Sequence, residues 1–201
     1  MDKKILILVT YLGERSDTMC KILKELQGKT AQALLETYGV STEPPIDIDE
    51  LLRHIGISSI PMDFSPIESQ VGISSGSVLG ATISEGENLG IFYRADATEN
   101  RRRFTIAHEI AHCCLHTENL IDHHVELRDN FKALSGKEYE ANVFAGALLI
   151  PKDALDKVYE QLIVPSLETL SKIFRVSTTV MVARLDYLKM PYLKDIDINE
   201  A

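Results

Sequence analysis

Apolar residues recur at helical spacing near the start of the chain, and this pattern predicts short helices there. Between residues 19 and 39 apolar side chains return every three or four positions, and Gly39 stands where a C-cap is expected, so we predict one helix over this range. Pro44 and Pro45 then interrupt the pattern. A short helix should follow them and end near Gly56.

The pattern then changes to one that favours β-structure. Two β-rich runs, 78–83 and 89–93, are separated by a short polar stretch that contains the Gly and Asn favoured in tight turns. We therefore predict a β-hairpin over residues 77–94. The preceding stretch, 57–76, is rich in Ser, Gly and Pro and is predicted to be mainly loop or short strands.

A longer helix is predicted directly after the hairpin. It should begin after Asp96, whose side chain can cap it, and Glu99 three residues further on would complete a capping box. One apolar stripe runs along this helix at offsets of three and four residues, through Phe104, Ala107, Ala111 and Leu115. The stripe predicts that one side of the helix faces the core.

Two more helical stretches are predicted further along the chain. One covers residues 137–149 and stops before Pro151. The last helical stretch, 167–188, has Ser166 as its cap and an interruption at 176–178, and we expect it to form a helical hairpin that packs on the protein or docks a partner. Helices together with one hairpin predict an α+β fold.

Composition indicates a folded globular protein and limits the kinds of partner. Of the 201 residues, 45% are hydrophobic and 25% are charged, which suits one compact domain with at most a small appendage. Lys and Arg number 21 and Asp and Glu number 30, so the formal net charge is −9. This balance argues against a protein that binds nucleic acid phosphates, and we expect no direct DNA binding.

The cysteines and the N-terminus favour a cytoplasmic location. Cys113 and Cys114 are adjacent and Cys20 is far upstream, so they form no disulfide framework, and we expect the adjacent pair to be buried as small apolar side chains. The apolar run 5–9 is too short for a signal peptide, and Met19 is an alternative start. No segment approaches the ~20 apolar residues that span a bilayer, so we expect no membrane association.

The histidines are concentrated in one segment and form a metal-binding motif. Five of the six lie between residues 108 and 124. His108 and His112 are four residues apart on the predicted helix, so both imidazoles can reach one metal ion at ~2.0–2.1 Å. Glu109 lies on an adjacent side, where it can act as a general base without binding the ion. The pattern predicts a Zn²⁺ peptidase site; the alternative, a solvated helix with incidental histidines, fits the adjacent apolar stripe less well.

A catalytic zinc site needs a third protein ligand, and the following helix offers two carboxylates. Glu138 shares a helical face with small and apolar residues at 141, 145 and 148, which would let this helix pack closely on the histidine-bearing one. Glu140 points elsewhere and should be solvated. We therefore prefer Glu138 as the third ligand, with Glu140 as the alternative.

Several other polar residues are assigned smaller roles. His123, His124 and Tyr139 are candidates for stabilising the oxyanion, although none is indicated by more than its position. His116 lies one turn beyond the motif and is expected to contribute packing or support from outside the ligand set. The arginines at 101–103 should pair with nearby acidic residues.

Two long motifs resemble the ImmA/IrrE metallo-endopeptidases of bacteria and their mobile elements. The first is Arg102-x-Phe104-Thr105-Ile106-Ala107-His108-Glu109-x-Ala111-His112-x-x-Leu115-His116, and the second is Glu138-x-x-Ala141-Asn142-x-Phe144-Ala145-x-x-Leu148-Leu149-x-Pro151. The upstream hairpin and a downstream segment extend the resemblance over 45–190. The family commonly has Gly where Ala111 stands, and the Cys113-Cys114 pair is unusual.

The resemblance implies a zincin-like core, in which a small β-sheet packs on the HExxH helix and on a second ligand-bearing helix. It implies zinc on His108, His112 and Glu138, with Glu109 as the catalytic carboxylate. On this basis we divide the chain into an N-terminal extension and helix (1–40), a catalytic domain (41–160) and a C-terminal helical segment (161–201).

The resemblance also suggests a partner. It implies that the enzyme cleaves a helix-turn-helix repressor or an antitoxin that controls a mobile element or a stress response. Substrate is expected to pair with the strand at 89–93, a common way to hold an extended peptide. The alternatives are a non-proteolytic protein that acts by docking a partner, and a DNA-binding regulator that uses its C-terminal helices.

Overall fold

The protein has an α+β fold, as the sequence predicts. The computed structural model describes residues 20–85, 88–117, 124–127 and 136–193. The helices in these ranges are α1 (Lys21–Leu26), α2 (Ala31–Tyr38), α3 (Ile48–Ile55), α4 (Ser65–Val71), α5 (Glu99–Leu115), α6 (Gly136–Leu149), α7 (Lys152–Gln161), α8 (Leu167–Phe174) and α9 (Thr178–Leu188). The strands are β1 (Ser58–Met62), β2 (Val78–Glu85), β3 (Asn88–Arg94) and β4 (His124–Leu127).

The four strands form one sheet in the order β1-β3-β2-β4. The predicted hairpin is confirmed, because β2 and β3 pair antiparallel from Gly80 opposite Tyr93 to Glu85 opposite Asn88. The residues of its turn, 86–87, lie outside the described ranges. β1 adds to β3 in parallel, and β4 adds to β2 antiparallel.

This strand order corrects one expectation about the substrate. The strand at 89–93 belongs to β3, which is paired with β1 on one side and with β2 on the other. Its backbone hydrogen-bonding groups are therefore already used, and a peptide cannot add to it. Among the described strands the sheet edges are β1 and β4.

The prediction of one continuous helix over 19–39 is wrong, because two helices, α1 and α2, occupy this range. α1 ends before Gly28, which has a left-handed φ of 77° and whose N–H donates to the Cys114 carbonyl at 2.7 Å. Thr30 then caps α2 by accepting from the Ala33 N–H at 3.2 Å. The predicted C-cap at Gly39 is confirmed by its left-handed backbone.

The stretch 57–76, predicted as mainly loop or short strands, also contains a helix. β1 is one of the expected short strands, but α4 was not predicted. Pro66 in the first turn and a left-handed Gly72 at the C-cap are typical helix boundary signals. They were missed because the helix has only seven residues, too few for a clear periodic pattern.

A buried carboxylate on α4 fixes the start of β2. Glu68 is almost fully buried and accepts from the N–H groups of Gly76 and Val78 at 2.9 and 2.8 Å. Arg94, at the end of β3, donates to the same carboxylate at 2.9 Å. The negative charge of Glu68 is therefore compensated, and its contacts join α4 to both strands of the hairpin.

The helix after the hairpin begins two residues later than predicted. Its N-cap is Thr98, whose hydroxyl accepts from the Arg101 N–H at 3.4 Å. Asp96, the predicted cap, instead accepts a hydrogen bond from Arg94 at 3.0 Å. Of the predicted apolar stripe, Ala107 and Ala111 are fully buried and Phe104 packs against the core, but Leu115 at the end of the helix is 38% exposed.

The C-terminal prediction is confirmed. α8 and α9 are separated at the expected interruption, and Ser166 and Ser177 cap them by accepting from Thr169 N and Val180 N, each at 3.2 Å. Apolar side chains of both helices join the same hydrophobic core as those of α1, α5 and α6. No helix in the described ranges is both long and apolar enough to cross a membrane.

Candidate metal centre

Three side chains from two packed helices converge at one point. α5 carries His108 and His112 one turn apart, and α6, which packs against it, carries Glu138 in its first turn. His108 Nε2 lies 3.1 Å from Glu138 Oε2, and His112 Nε2 lies 3.5 Å from Glu138 Oε1. The two Nε2 atoms are 3.0 Å apart. The structure thus brings together the three residues predicted as ligands.

These distances fit a tetrahedral zinc ion. Two ligand atoms that each lie ~2.0–2.1 Å from a tetrahedral ion are separated by roughly 3.3 Å, close to all three measured separations. Both imidazoles are about 1% exposed, whereas the Glu138 side chain is 31% exposed, so the site opens to solvent on the carboxylate side. Two imidazoles and one carboxylate are also a donor set that catalytic zinc sites use.

His108 is held in the orientation that metal binding requires. Its Nδ1 lies 3.0 Å from the Asn142 side-chain oxygen on α6. With that carbonyl oxygen as acceptor, the imidazole proton belongs on Nδ1, which leaves the lone pair of Nε2 directed at Glu138 and His112. Sequence reasoning did not assign this role to Asn142, although the residue is part of the second motif.

Glu109 is buried beside the three converging residues but does not belong to their cluster. Its Oε2 accepts a hydrogen bond from the Thr82 hydroxyl on β2, and both side chains are at most 1% exposed. The contact places the carboxylate between the metal-binding helix and the sheet. Its surroundings fit the predicted general base, which has to be fixed near the ligands without joining them.

β2 reaches this position because Gly80 has no side chain. A Cβ atom at position 80 would lie 2.5 Å from the Thr105 methyl group on α5 and 3.3 Å from Glu109 Oε1. The strand can therefore approach α5 closely only with glycine here. Sequence reasoning missed Gly80 and Thr82; a glycine inside a predicted strand was the available signal of a close approach.

Glu140 takes no part in the convergence of the three ligand atoms. Its side chain is 62% exposed, and its Oε2 lies 2.9 Å from His116 Nε2. It therefore points away from the site, as predicted, and is largely solvated, although it also has a buried partner. His116 is buried next to His112, which agrees with its predicted supporting position.

The oxyanion candidates are not brought together in the described ranges. Tyr139 is more than half exposed and lines a cavity of about 800 Å³ between α5, α6 and α9, together with Phe104 and Asn142. His123 lies outside the described residues, as does the side chain of His124 in β4. Their proposed roles stay predictions.

The cysteine pair is buried, as predicted, but the predicted pairing of the arginines at 101–103 with acidic residues is wrong for Arg103, which is buried and donates from Nε to the Arg175 carbonyl at 3.3 Å. Cys113 and Cys114 are free and buried, and burial raises the pKa of Cys114 to about 12, while the pKa of Cys113 is also raised by burial. Arg102 pairs with two acidic residues: its Nη2 lies 2.6 Å from Asp49 Oδ2 and its Nε lies 3.1 Å from Glu99 Oε2. Because burial raises the pKa of both thiols, Cys113 and Cys114 are poor nucleophiles.

Comparison with known proteins agrees with this site. A family model for peptidase M78, described as the IrrE N-terminal-like domain, matches residues 67–186, which include the hairpin, both ligand-bearing helices and most of the C-terminal hairpin. No curated protein matches the chain. The matched family points to a metallopeptidase and confirms the resemblance on which the zincin-like fold was predicted. The match spans more than half of the sequence, and the chain therefore belongs to the IrrE N-terminal-like family.

Proposed function

We propose that the protein is a zinc-dependent endopeptidase that cleaves a specific regulatory protein. The observation that carries this proposal is the convergence of His108, His112 and Glu138 at distances that suit one ion, with Glu109 buried beside them. A binding protein without hydrolytic activity has no chemical need for a buried carboxylate adjacent to the ligands. The presence of Glu109 therefore favours an enzyme over a docking protein.

The mechanism follows from the positions of these residues. A zinc ion held by the three ligands would supply Lewis acidity, which activates a water molecule and polarises the carbonyl of the scissile bond. Glu109 accepts the proton of the attacking water and then gives it to the leaving amine. Thr82 keeps the Glu109 carboxylate in place during both transfers. The open side next to Glu138 admits the substrate.

An extended substrate segment would bind along β4. This strand pairs with β2, and Thr82, the residue that contacts Glu109, is directly opposite His124. The other sheet edge, β1, is separated from β2 by β3. No described strand pairs with β4 on the side away from β2. A peptide that adds there therefore runs closer to Glu109 than one at β1, and it binds through the backbone hydrogen bonds of an additional strand.

The proposed substrate is a helix-turn-helix repressor or an antitoxin encoded near this chain. The family resemblance suggests this class, and the net charge of −9 favours a basic partner such as a DNA-binding protein. Binding energy from a specific partner would also position the scissile segment, so small peptides and unfolded proteins such as casein should be poor substrates.

Coexpression with the neighbouring regulator tests the proposal. The wild-type chain should cut the regulator at one or a few sites, seen as fragments by mass spectrometry. Glu109→Gln should bind zinc and keep its fold but cleave ~10²–10⁴-fold more slowly, because an amide accepts no proton from water. Equal cleavage by Glu109→Gln would contradict the assignment of the general base. Tight binding without any cleavage by the wild type would favour the docking protein instead.

A further inference from the structure

Two residues outside the ligand set form a chain of contacts that ends on a ligand. His116 Nδ1 lies 3.1 Å from His112 Nδ1, and His116 Nε2 lies 2.9 Å from Glu140 Oε2. The same His112 ring presents Nε2 to Glu138. His116 therefore meets His112 on the nitrogen opposite to the metal-facing one. Glu140, His116 and His112 are connected in that order, and His116 cannot reach the ion itself.

The positions of the protons along this chain follow from the role of His112. To bind a metal through Nε2, the neutral His112 ring must carry its proton on Nδ1, where it donates to Nδ1 of His116. The proton of a neutral His116 then lies on Nε2, where it donates to the Glu140 carboxylate. In this arrangement every ring nitrogen of His112 and His116 either donates a hydrogen bond, accepts one or faces the metal site. Such pairing is needed because the two side chains are only 1% and 3% exposed, and a buried polar atom without a partner is unfavourable.

We propose that His116 and Glu140 are positioning residues that hold His112 in its metal-binding tautomer and orientation. This inference rests on the proposed zinc site and extends it beyond the three ligands. Partners of this kind behind a metal-bound histidine typically change metal affinity by about 10- to 100-fold. Asn142 is the corresponding partner of the other ligand, since it contacts His108 at Nδ1.

The proposal gives separate tasks to two carboxylates on the same helix. Glu138 and Glu140 are two residues apart on α6, and their side chains meet different histidines. Glu138 contacts Nε2 of His108 and of His112, the two nitrogens that face the metal site. Glu140 instead contacts His116, the buried histidine one turn further along α5. Loss of Glu138 should remove the metal site, and loss of Glu140 should only weaken it.

Zinc affinity of the full chain, measured by competition with a chromophoric chelator, tests the chain of contacts. Glu140→Ala should bind one zinc ion about 10- to 100-fold more weakly than the wild type. Glu140→Gln keeps an oxygen that can accept from His116 and should recover most of the affinity. The matched control is Glu160→Ala, which removes an exposed carboxylate on α7 and should leave the affinity unchanged.

A double variant distinguishes a connected chain from two independent effects. His116→Ala should weaken zinc binding at least as much as Glu140→Ala, and adding Glu140→Ala to it should have no further effect, because Glu140 acts through His116. Glu140 is largely exposed, so its single variant tests the proposal even if His116→Ala fails to fold.

Nitrogen-15 NMR of the histidine rings provides a readout that a purely structural role would not move. In the zinc-loaded wild type, His116 should be protonated on Nε2 and His112 on Nδ1, and Glu140→Ala should change the His116 signals. A wild-type chain that binds no zinc would overturn the proposed function. A wild type that binds zinc, together with an unchanged affinity in Glu140→Ala or a proton on Nδ1 of His116, would overturn the positioning role alone.

Discussion

The hydroxyl group of Thr82 holds the Glu109 carboxylate, and it can be removed with little change in side-chain shape. Thr82→Val should lower kcat for the regulator on the order of tenfold, the cost of losing about one hydrogen bond to a charged group, and should leave zinc stoichiometry unchanged. Steady-state cleavage assays measure this effect. Thr82→Ser keeps the hydroxyl and should remain close to wild type; a Val variant with the same kcat would show that the contact does not matter.

The convergence of His108, His112 and Glu138 could be predicted from the sequence, because helix geometry sets the relation between the two histidines. His108 and His112 are one turn apart on any α-helix, and the face shared with small residues was enough to choose Glu138 over Glu140. Thr82 and Gly80 could not be predicted in the same way. A glycine inside a strand signals only that some group approaches closely, whereas the approach of β2 to α5 is a tertiary contact that no local pattern specifies.

The N-terminal helices are joined to the metal-binding helix by an ion pair. Arg102 on α5 makes two contacts with Asp49 on α3, at 2.9 and 2.6 Å, and its hydrogen bonds hold the pKa of Asp49 below the usual value. An aspartate has a pKa of about 3.9 in the unfolded chain. A carboxyl whose pKa is lower in the folded protein stabilises the fold at pH values above about 3.9, and this stabilisation is lost as the pH falls through the lowered pKa. The pair should therefore stabilise the link between α3 and α5 at neutral pH but not in strong acid.

Asp49→Asn tests this link. The variant should be modestly less stable than wild type at pH 7, because the carboxylate is half exposed, and the difference should shrink as the pH falls below about 4. Urea unfolding followed by circular dichroism across this pH range measures it. Glu160→Gln, which removes an exposed carboxylate near the end of α7, is the control and should stay close to the wild-type curve. A constant difference at all pH values would mean that the effect is not electrostatic.

The hairpin was predicted correctly, whereas α1, α4 and the ten-residue α7 were not predicted as separate helices. α6, α8 and α9 have both an apolar period and recognisable boundary residues, and all three were predicted. α1 and α4 have only six and seven residues, so their periodic signal is weak and their ends depend on Gly28 and Gly72. The mistaken continuity of the first helix arose because a single glycine is tolerated inside many helices.

In the proposed zinc site the ligands belong to two helices, so metal removal should change the stability of the whole molecule. Zinc at 100 times its dissociation constant would stabilise the folded state by about 2.7 kcal/mol, which corresponds to a rise in Tm of roughly 5–10 °C for a chain of this length. Differential scanning calorimetry with zinc and with a chelator measures the shift. Glu138→Ala should show no zinc-dependent rise, and an equal rise in that variant would place the ion elsewhere.

The arrangement of the whole sheet could not be read from the sequence. β1 and β3 pair in parallel although α4 and β2 lie between them in the sequence. Their pairing therefore depends on a crossover connection and not on a tight turn. For this reason the hairpin was predicted correctly while the position of β3 inside the sheet was missed. The family match and the packed pair α5 and α6 were accessible from motifs alone.

Glu68 shows how variation outside the candidate metal centre can reach the buried Glu109 carboxylate. The Glu68 carboxylate accepts hydrogen bonds from the N–H groups of Gly76 and Val78, only a few residues before Thr82. These bonds fix the position of β2 relative to α5. A slip of one residue at this anchor would turn the Thr82 hydroxyl to the other face of the sheet. Mutational surveys of this protein should therefore find positions in α4 whose substitution mimics damage to Glu109 itself, although they lie in the least regular part of the sequence.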